Sequence, residues 1–151
     1  MHISTLTLEN FRCFGPAAVT IALDESTTLI GANGAGKTAV LEALGRLFGI
    51  TTADRQISRS DFYRPPDVPA DEVEEASLFI EARIDFPELA SENESGAVPE
   101  CFNQMVVAAP GAAPYCRVRL EATWHRTSTP DGEIEETISW ITTDAAEPRP
   151  L

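Results

Sequence analysis

The sequence predicts an α/β chain with antiparallel strands at its N-terminus, a helix opened by a glycine loop, and a β-rich second half. Three observations carry this expectation. Apolar and polar residues alternate in separate runs near the start, a cluster of glycines precedes a stretch of helical periodicity, and alternation resumes after residue 78.

Leu6 and Leu8 alternate with Thr5 and Thr7, and Val19, Ile21 and Leu23 with Ala18, Thr20 and Ala22, the period of half-buried strands; Gly15-Pro16 marks the bend between them. A third short strand, Ser26 to Ile30, leads into Gly31, Gly34 and Gly36. Val40, Leu41, Leu44, Leu47 and Phe48 then share one helical face that Gly49 is placed to end. Residues 26 to 49 thus read as strand, glycine loop, helix. From Thr51 to about Glu75 three prolines and the acidic group Asp71, Glu72, Glu74 and Glu75 read as a solvated connector with little regular structure. Leu78, Ile80, Ala82, Ile84 and Phe86 alternate with Phe79, Glu81, Arg83 and Asp85 in a long strand that Pro87 should stop, its carboxylates turned away from the core. Residues 87 to 114 read as a second mobile stretch, interrupted by the apolar run Met105 to Ala109. A hairpin follows: Val118, Leu120, Ala122 and Trp124 on one face, a turn at Pro130-Asp131-Gly132, then Ile134, Ile138 and Trp140.

Composition excludes several classes. At 151 residues, 43% hydrophobic and 23% charged, the chain has material for roughly one globular domain and is neither collagen-like, disulfide-framed nor wholly disordered. A formal charge of −13 makes the surface repel phosphate backbones, so nucleic acid is expected to be met locally or through parts outside this chain. Cys13, Cys101 and Cys116 form no CxxC pair and are odd in number, which fits a reducing compartment, with cytoplasm the expectation. Neither a signal-peptide core nor a run of 18 apolar residues occurs, so no membrane association is expected.

One motif carries chemistry. Gly31-Ala32-Asn33-Gly34-Ala35-Gly36-Lys37-Thr38 satisfies G-x-x-x-x-G-K-[ST] between an expected strand and helix, the context that this phosphate-binding loop requires. From residue frequencies, four such fixed positions arise by chance in about 0.5% of chains of this length. A polyphosphate needs donors without bulk: glycines let backbone N–H groups turn inward, and a helix N-terminus adds partial positive charge. Lys37 is the cation for the β and γ phosphates, Thr38 offers its hydroxyl to Mg²⁺, and Asn33 has an amide to give the γ-phosphate. A nucleoside polyphosphate with Mg²⁺ is therefore the expected ligand, ATP being the one that the resemblance below implies.

Hydrolysis on such a loop also needs a metal-holding acid at the end of an apolar strand and a neighbouring glutamate. No four apolar residues followed by Asp-Glu occur in this sequence, and no LSGG-like signature. Alone, the chain is expected to bind nucleotide weakly and hydrolyse it negligibly. His2 and His125 have no zinc-like spacing around them, Trp124, Trp140 and Phe79 fit core packing better than base stacking, and Arg117 and Arg119 beside Glu121 read as a mixed-charge face.

The stretch Ile3 to Phe14, ending Glu9-Asn10-Phe11-Arg12-Cys13-Phe14, with Leu29 to Leu44 around the glycine loop, resembles the start of SMC/RecF-type ATPases of the ABC superfamily. Within these it is most similar to the overcoming-lysogenization-defect (OLD) family of ATP-dependent nucleases, to which Asp61-Phe62 and the strand ending Asp85-Phe86-Pro87-Glu88-Leu89 add short similarities. The resemblance is specific over residues 1 to 49 and diffuse afterwards. It implies a P-loop NTPase lobe of ABC/SMC type with N-terminal antiparallel strands and a β-rich second half. Residues 1–151 would be the N-terminal lobe of an ABC-type ATPase head, incomplete without its acidic strand, signature and nuclease domain. It further implies that Arg12 lies beside the nucleotide, that two heads pair when ATP binds, and that a Toprim domain outside this chain cuts DNA, a role in DNA processing or defence against phage. Gln56 and Asp61 are rival candidates for a place near the metal. The alternatives are a stand-alone P-loop phosphotransferase and a non-catalytic nucleotide-dependent dimerisation module.

Overall fold

The computed structural model describes residues 1–69, 71–89, 97–108, 112–129, 131–142 and 148–151. Its frame is one six-stranded antiparallel sheet in the order β2-β1-β3-β4-β5-β6: β1 is His2–Glu9, β2 Val19–Ala22, β3 Glu75–Asp85, β4 Tyr115–His125, β5 Glu133–Ile141 and β6 Pro148–Pro150. The first two strands pair as the alternation predicts, Leu6 opposite Ile21 and Leu8 opposite Val19. The second half does not form a separate layer. Its first strand, β3, lies directly on β1, with Leu8 opposite Ile80 and Leu6 opposite Ala82, because the apolar faces of both strands seek the same core.

The hairpin register matches the two predicted faces side chain to side chain: Val118 opposes Trp140, Leu120 opposes Ile138 and Trp124 opposes Ile134. Its turn holds Asp131 and Gly132, and the Trp124 indole donates to the Asp131 carbonyl at 2.7 Å; Pro130 lies outside the described residues. So do residues 90–96 and 109–111 of the stretch expected to be mobile, including Ala109 at the end of its apolar run. Around them the chain is ordered by packing. A 3₁₀ turn at Glu100–Phe102 sets the Phe102 ring 5.8 Å from that of fully buried Phe86, and Met105 is buried. Edge strand β6 escaped the alternation rule because it is short and proline-bounded, a composition that only an edge tolerates.

Against one face of the sheet packs α1, Lys37–Phe48, ended by Gly49, whose N–H returns to the Gly45 carbonyl. The predicted apolar face is wider than the buried one. Ala39, Val40, Ala43 and Leu47 enter the core with Leu6, Leu8, Ile80 and Leu120, whereas Leu41 stays 63% exposed and Phe48 40%. The Thr51–Glu75 connector is more structured than predicted. Thr51 and Asp54 close a reciprocal capping box on the short helix α2, Thr52–Arg55, and Ser58 and Asp61 do the same for a 3₁₀ turn at Arg59–Asp61.

Ser26 to Ile30 is not a strand. The segment begins in a bend and has no regular structure, none of the sheet strands pairs with it, and Ile30 is 91% exposed. A short run before a glycine loop does not by itself make a strand: the backbone N–H and C=O groups need a neighbour to receive them.

Candidate nucleotide site

The glycine loop turns on two left-handed residues, Gly34 (φ 84°) and Gly36 (φ 87°), and Gly36 is the N-cap of α1. A Cβ on Gly36 would also press on Cys13 Sγ and the Phe14 ring at 3.1 Å, so close approach to the β1–β2 turn adds a second demand for glycine. No side chain caps the helix and its first turn holds no acid. The helix start therefore keeps its N–H donors and its positive end available to an anion. Lys37 Nζ donates to the Gly31 and Ala32 carbonyls, both at 2.7 Å, which keeps the ammonium over the loop. Arg12, Cys13, Asn33, Gly34, Gly36, Lys37, Thr38, Ala39 and Glu42 together line a cavity of about 460 Å³.

Arg12 comes from the β1–β2 turn, which is tied to the far connector by backbone. Its N–H donates to the Asp61 carbonyl at 2.7 Å, the Tyr63 N–H donates to the Asn10 carbonyl at 2.7 Å, and Phe11 bridges Phe62. Asn10 and Arg12 both take positive φ, 53° and 52°, a conformation unfavourable for side-chain-bearing residues unless the surroundings impose it. Backbone hydrogen bonds hold both residues in place, and ion pairs fix the Arg12 side chain. Arg12 Nε and Nη2 both reach Asp61 Oδ1 at 2.9 Å, while Nη1 pairs with Glu42.

Asp61 is 0% exposed, and both carboxylate oxygens are engaged. Besides Arg12 it receives Arg46 Nε at 3.0 Å, the Ser58 N–H at 2.9 Å and the Ser58 hydroxyl at 3.1 Å. Burial alone would raise its pKa; hydrogen bonds from Arg46, the Ser58 N–H and Arg12, with the Arg46 charge, outweigh that and hold it below the ordinary carboxylate value.

The structure thus brings Arg12, Asn33, Gly34, Gly36, Lys37 and Thr38 to one cavity, with Gly31, Ala32 and Ala35 in the loop that frames it. It does not bring Gln56 there: that residue lines a separate cleft with Arg46, Arg59, Asp131 and Glu136. Asp61 reaches the site only through Arg12, its oxygens turned to two guanidinium groups. Sequence reasoning missed Glu42 and Arg46 as site elements. Their spacing, Thr38, Glu42 and Arg46 at i, i+4 and i+8, was the available signal, since it sets all three along one side of a helix. Arg117 and Arg119 are not a free cationic face either. Both grip Glu81 at 2.7 Å, and that carboxylate is 8% exposed although its strand position faces away from α1.

A helix start without a side-chain cap, a left-handed glycine loop and converging cations give the chain a loop suited to a polyphosphate. A family model described as AAA ATPase domain matches residues 1–105, more than half of the chain, and the chain belongs to that family. Among solved structures, one from work on ATP-driven dimerization and DNA-stimulated activation of SMC ATPases matches at 21% identity and TM-score 0.45, covering 91% of this chain and 69% of that one. No curated protein matches. Among the described residues, no helix is long and apolar enough to cross a membrane.

Proposed function

We propose that residues 1–151 form the N-terminal lobe of an ABC/SMC-type ATPase head, which binds ATP with Mg²⁺ in the cavity at the start of α1. The observation that carries this is the convergence of Lys37, Thr38, Asn33 and Arg12 on an uncapped helix N-terminus. The residues present fit the ligand: glycine backbone at Gly34 and Gly36 leaves room for phosphate, the first-turn N–H groups are donors, and Thr38 supplies a hard oxygen. Bound Mg²⁺ would neutralise charge shared by the β and γ phosphates. Lys37 exchanges its loop carbonyls for phosphate oxygens, Asn33 donates to the terminal phosphate, and Arg12 adds a second cation across the cavity. In the whole protein, pairing of two heads on ATP would be coupled to DNA cleavage or processing by parts outside this chain, as the OLD-type resemblance implies, in the cytoplasm and with a place in phage defence.

Equilibrium titration of Mg·ATP into the chain and its Lys37→Ala variant tests the site. Loss of a charge-assisted contact should weaken binding by about tenfold to a hundredfold. Unchanged binding in Lys37→Ala would overturn the assignment.

A further inference from the structure

Arg12 is held by two carboxylates of very different permanence. Asp61 is wholly buried, takes two of the guanidinium donors on Oδ1, and is itself locked by Arg46 and Ser58. Glu42 stands on α1 one turn after Thr38, its side chain about a third exposed. Its Oε2 touches Arg12 Nη1 as an ion pair, yet that shielded oxygen accepts no hydrogen bond of good geometry. Glu42 also lines the cavity that holds Lys37 and Thr38, so a negative side chain faces the place proposed for an anion. A buried acid that anchors and a poorly bonded acid at the rim are unequal competitors for whatever else Arg12 could hold.

We infer that Asp61 is a positioning residue that aims Arg12 across the cavity, and that Glu42 is an exchangeable counter-ion whose place on Arg12 Nη1 a nucleotide phosphate takes. This rests on the ATP site proposed above. Before phosphate arrives, Glu42 satisfies the guanidinium; afterwards it turns to solvent, which its exposure permits. No bond is made or broken in the exchange. Only the ion-pair partner of one donor changes, while the two donors on Asp61 stay in place. Glu42 thereby acts as a mild filter, since ligands with a weakly charged phosphate end displace it less readily.

The two carboxylates touch the same guanidinium, but their removal should act in opposite directions. In Mg·ATP titrations of the 151-residue chain, Glu42→Gln should tighten binding about threefold, the scale of an exposed ion pair. Asp61→Asn should weaken binding about tenfold, the scale of a charge-assisted contact set out of position. In an Arg12→Ala background the Glu42→Gln gain should disappear, an outcome that a generic charge effect or a merely structural role would not produce. Should Asp61→Asn fail to fold by far-UV circular dichroism, the Glu42→Gln and Arg12→Ala pair decides alone. Weaker or unchanged binding in Glu42→Gln, or an equal gain without Arg12, overturns the exchange while Lys37→Ala still weakens binding. If Lys37→Ala leaves binding intact, the ATP site falls and the exchange with it.

Discussion

The sheet from β3 to β5 and the segment from Leu23 to Lys37 have opposite backbone economies. In the sheet each strand has neighbours: eleven residues of β3 oppose eleven of β4 without a break. Its donors and acceptors are consumed, and its side chains are sorted by face. The glycine segment has no such ladder, and the helix that follows begins without a cap. What it leaves unbonded is what a polyphosphate can use. Stability and binding capacity are thus separated along the chain: one region uses its hydrogen-bonding groups to fold, and the other holds them for a ligand.

That division predicts where substitutions are costly. Ile80 is 0% exposed at the centre of the sheet, so Ile80→Ala should lower the unfolding free energy by about 4 kcal/mol, read as a shift of the urea midpoint. An effect below about 1 kcal/mol would mean that the sheet is not the stabilising unit.

Asp61, which ties the two regions together, should come next. At neutral pH Asp61→Asn should cost about 3 kcal/mol, because two guanidinium groups lose a buried partner. The sign of the pH dependence follows from its lowered pKa. The stabilisation is complete above the unfolded-chain value near pH 4 and is lost as pH falls through the lower folded-state value. The gap between wild type and Asp61→Asn, measured by denaturation at a series of pH values, should therefore be flat above about pH 4 and shrink below it. A constant gap down to full acid unfolding would show that the carboxylate charge contributes nothing.

At the small end, Leu41→Ala on the exposed side of α1 should change stability by less than about 0.5 kcal/mol, even though the residue is as apolar as Ile80. A loss of 2 kcal/mol or more, again from the urea midpoint, would place Leu41 in a packed environment and erase the contrast between the two regions.

The sheet was legible because its two faces differ. Leu78, Ile80, Ala82 and Ile84 share one face and Glu81, Arg83 and Asp85 the other, and the hairpin faces met each other in register. The glycine loop was legible because its motif is local. Three features were not. The Ser26–Ile30 segment reads as a short strand before the glycines, but being a strand is a property of a pair, and no single run of sequence holds the partner. The helix periodicity marked every apolar residue, not the stripe that the sheet would cover. Asp61 resembled a metal ligand because its arginines come from 15 and 49 residues away in the chain, and only the fold brings them to it. By contrast, the two capping boxes, Thr51 with Asp54 and Ser58 with Asp61, were present in the sequence as a three-residue spacing.

The pairing of β1 with β3 sets His2 against Asp85. Everything from the Arg12 turn through the glycine loop and α1 to Asp61 therefore lies within a single covalent loop, clasped at its base by one ladder. Closing a loop of that length is entropically expensive, and its local turns and helix gain the β3 side of the core only when the clasp is made. The β3–β4–β5 meander, whose contacts are between successive strands, can assemble without waiting for it. The ligand cavity is in this sense a late product of the chain's own assembly, and amide protons inside the clasp should exchange with solvent as one cooperative group, ahead of those in the meander.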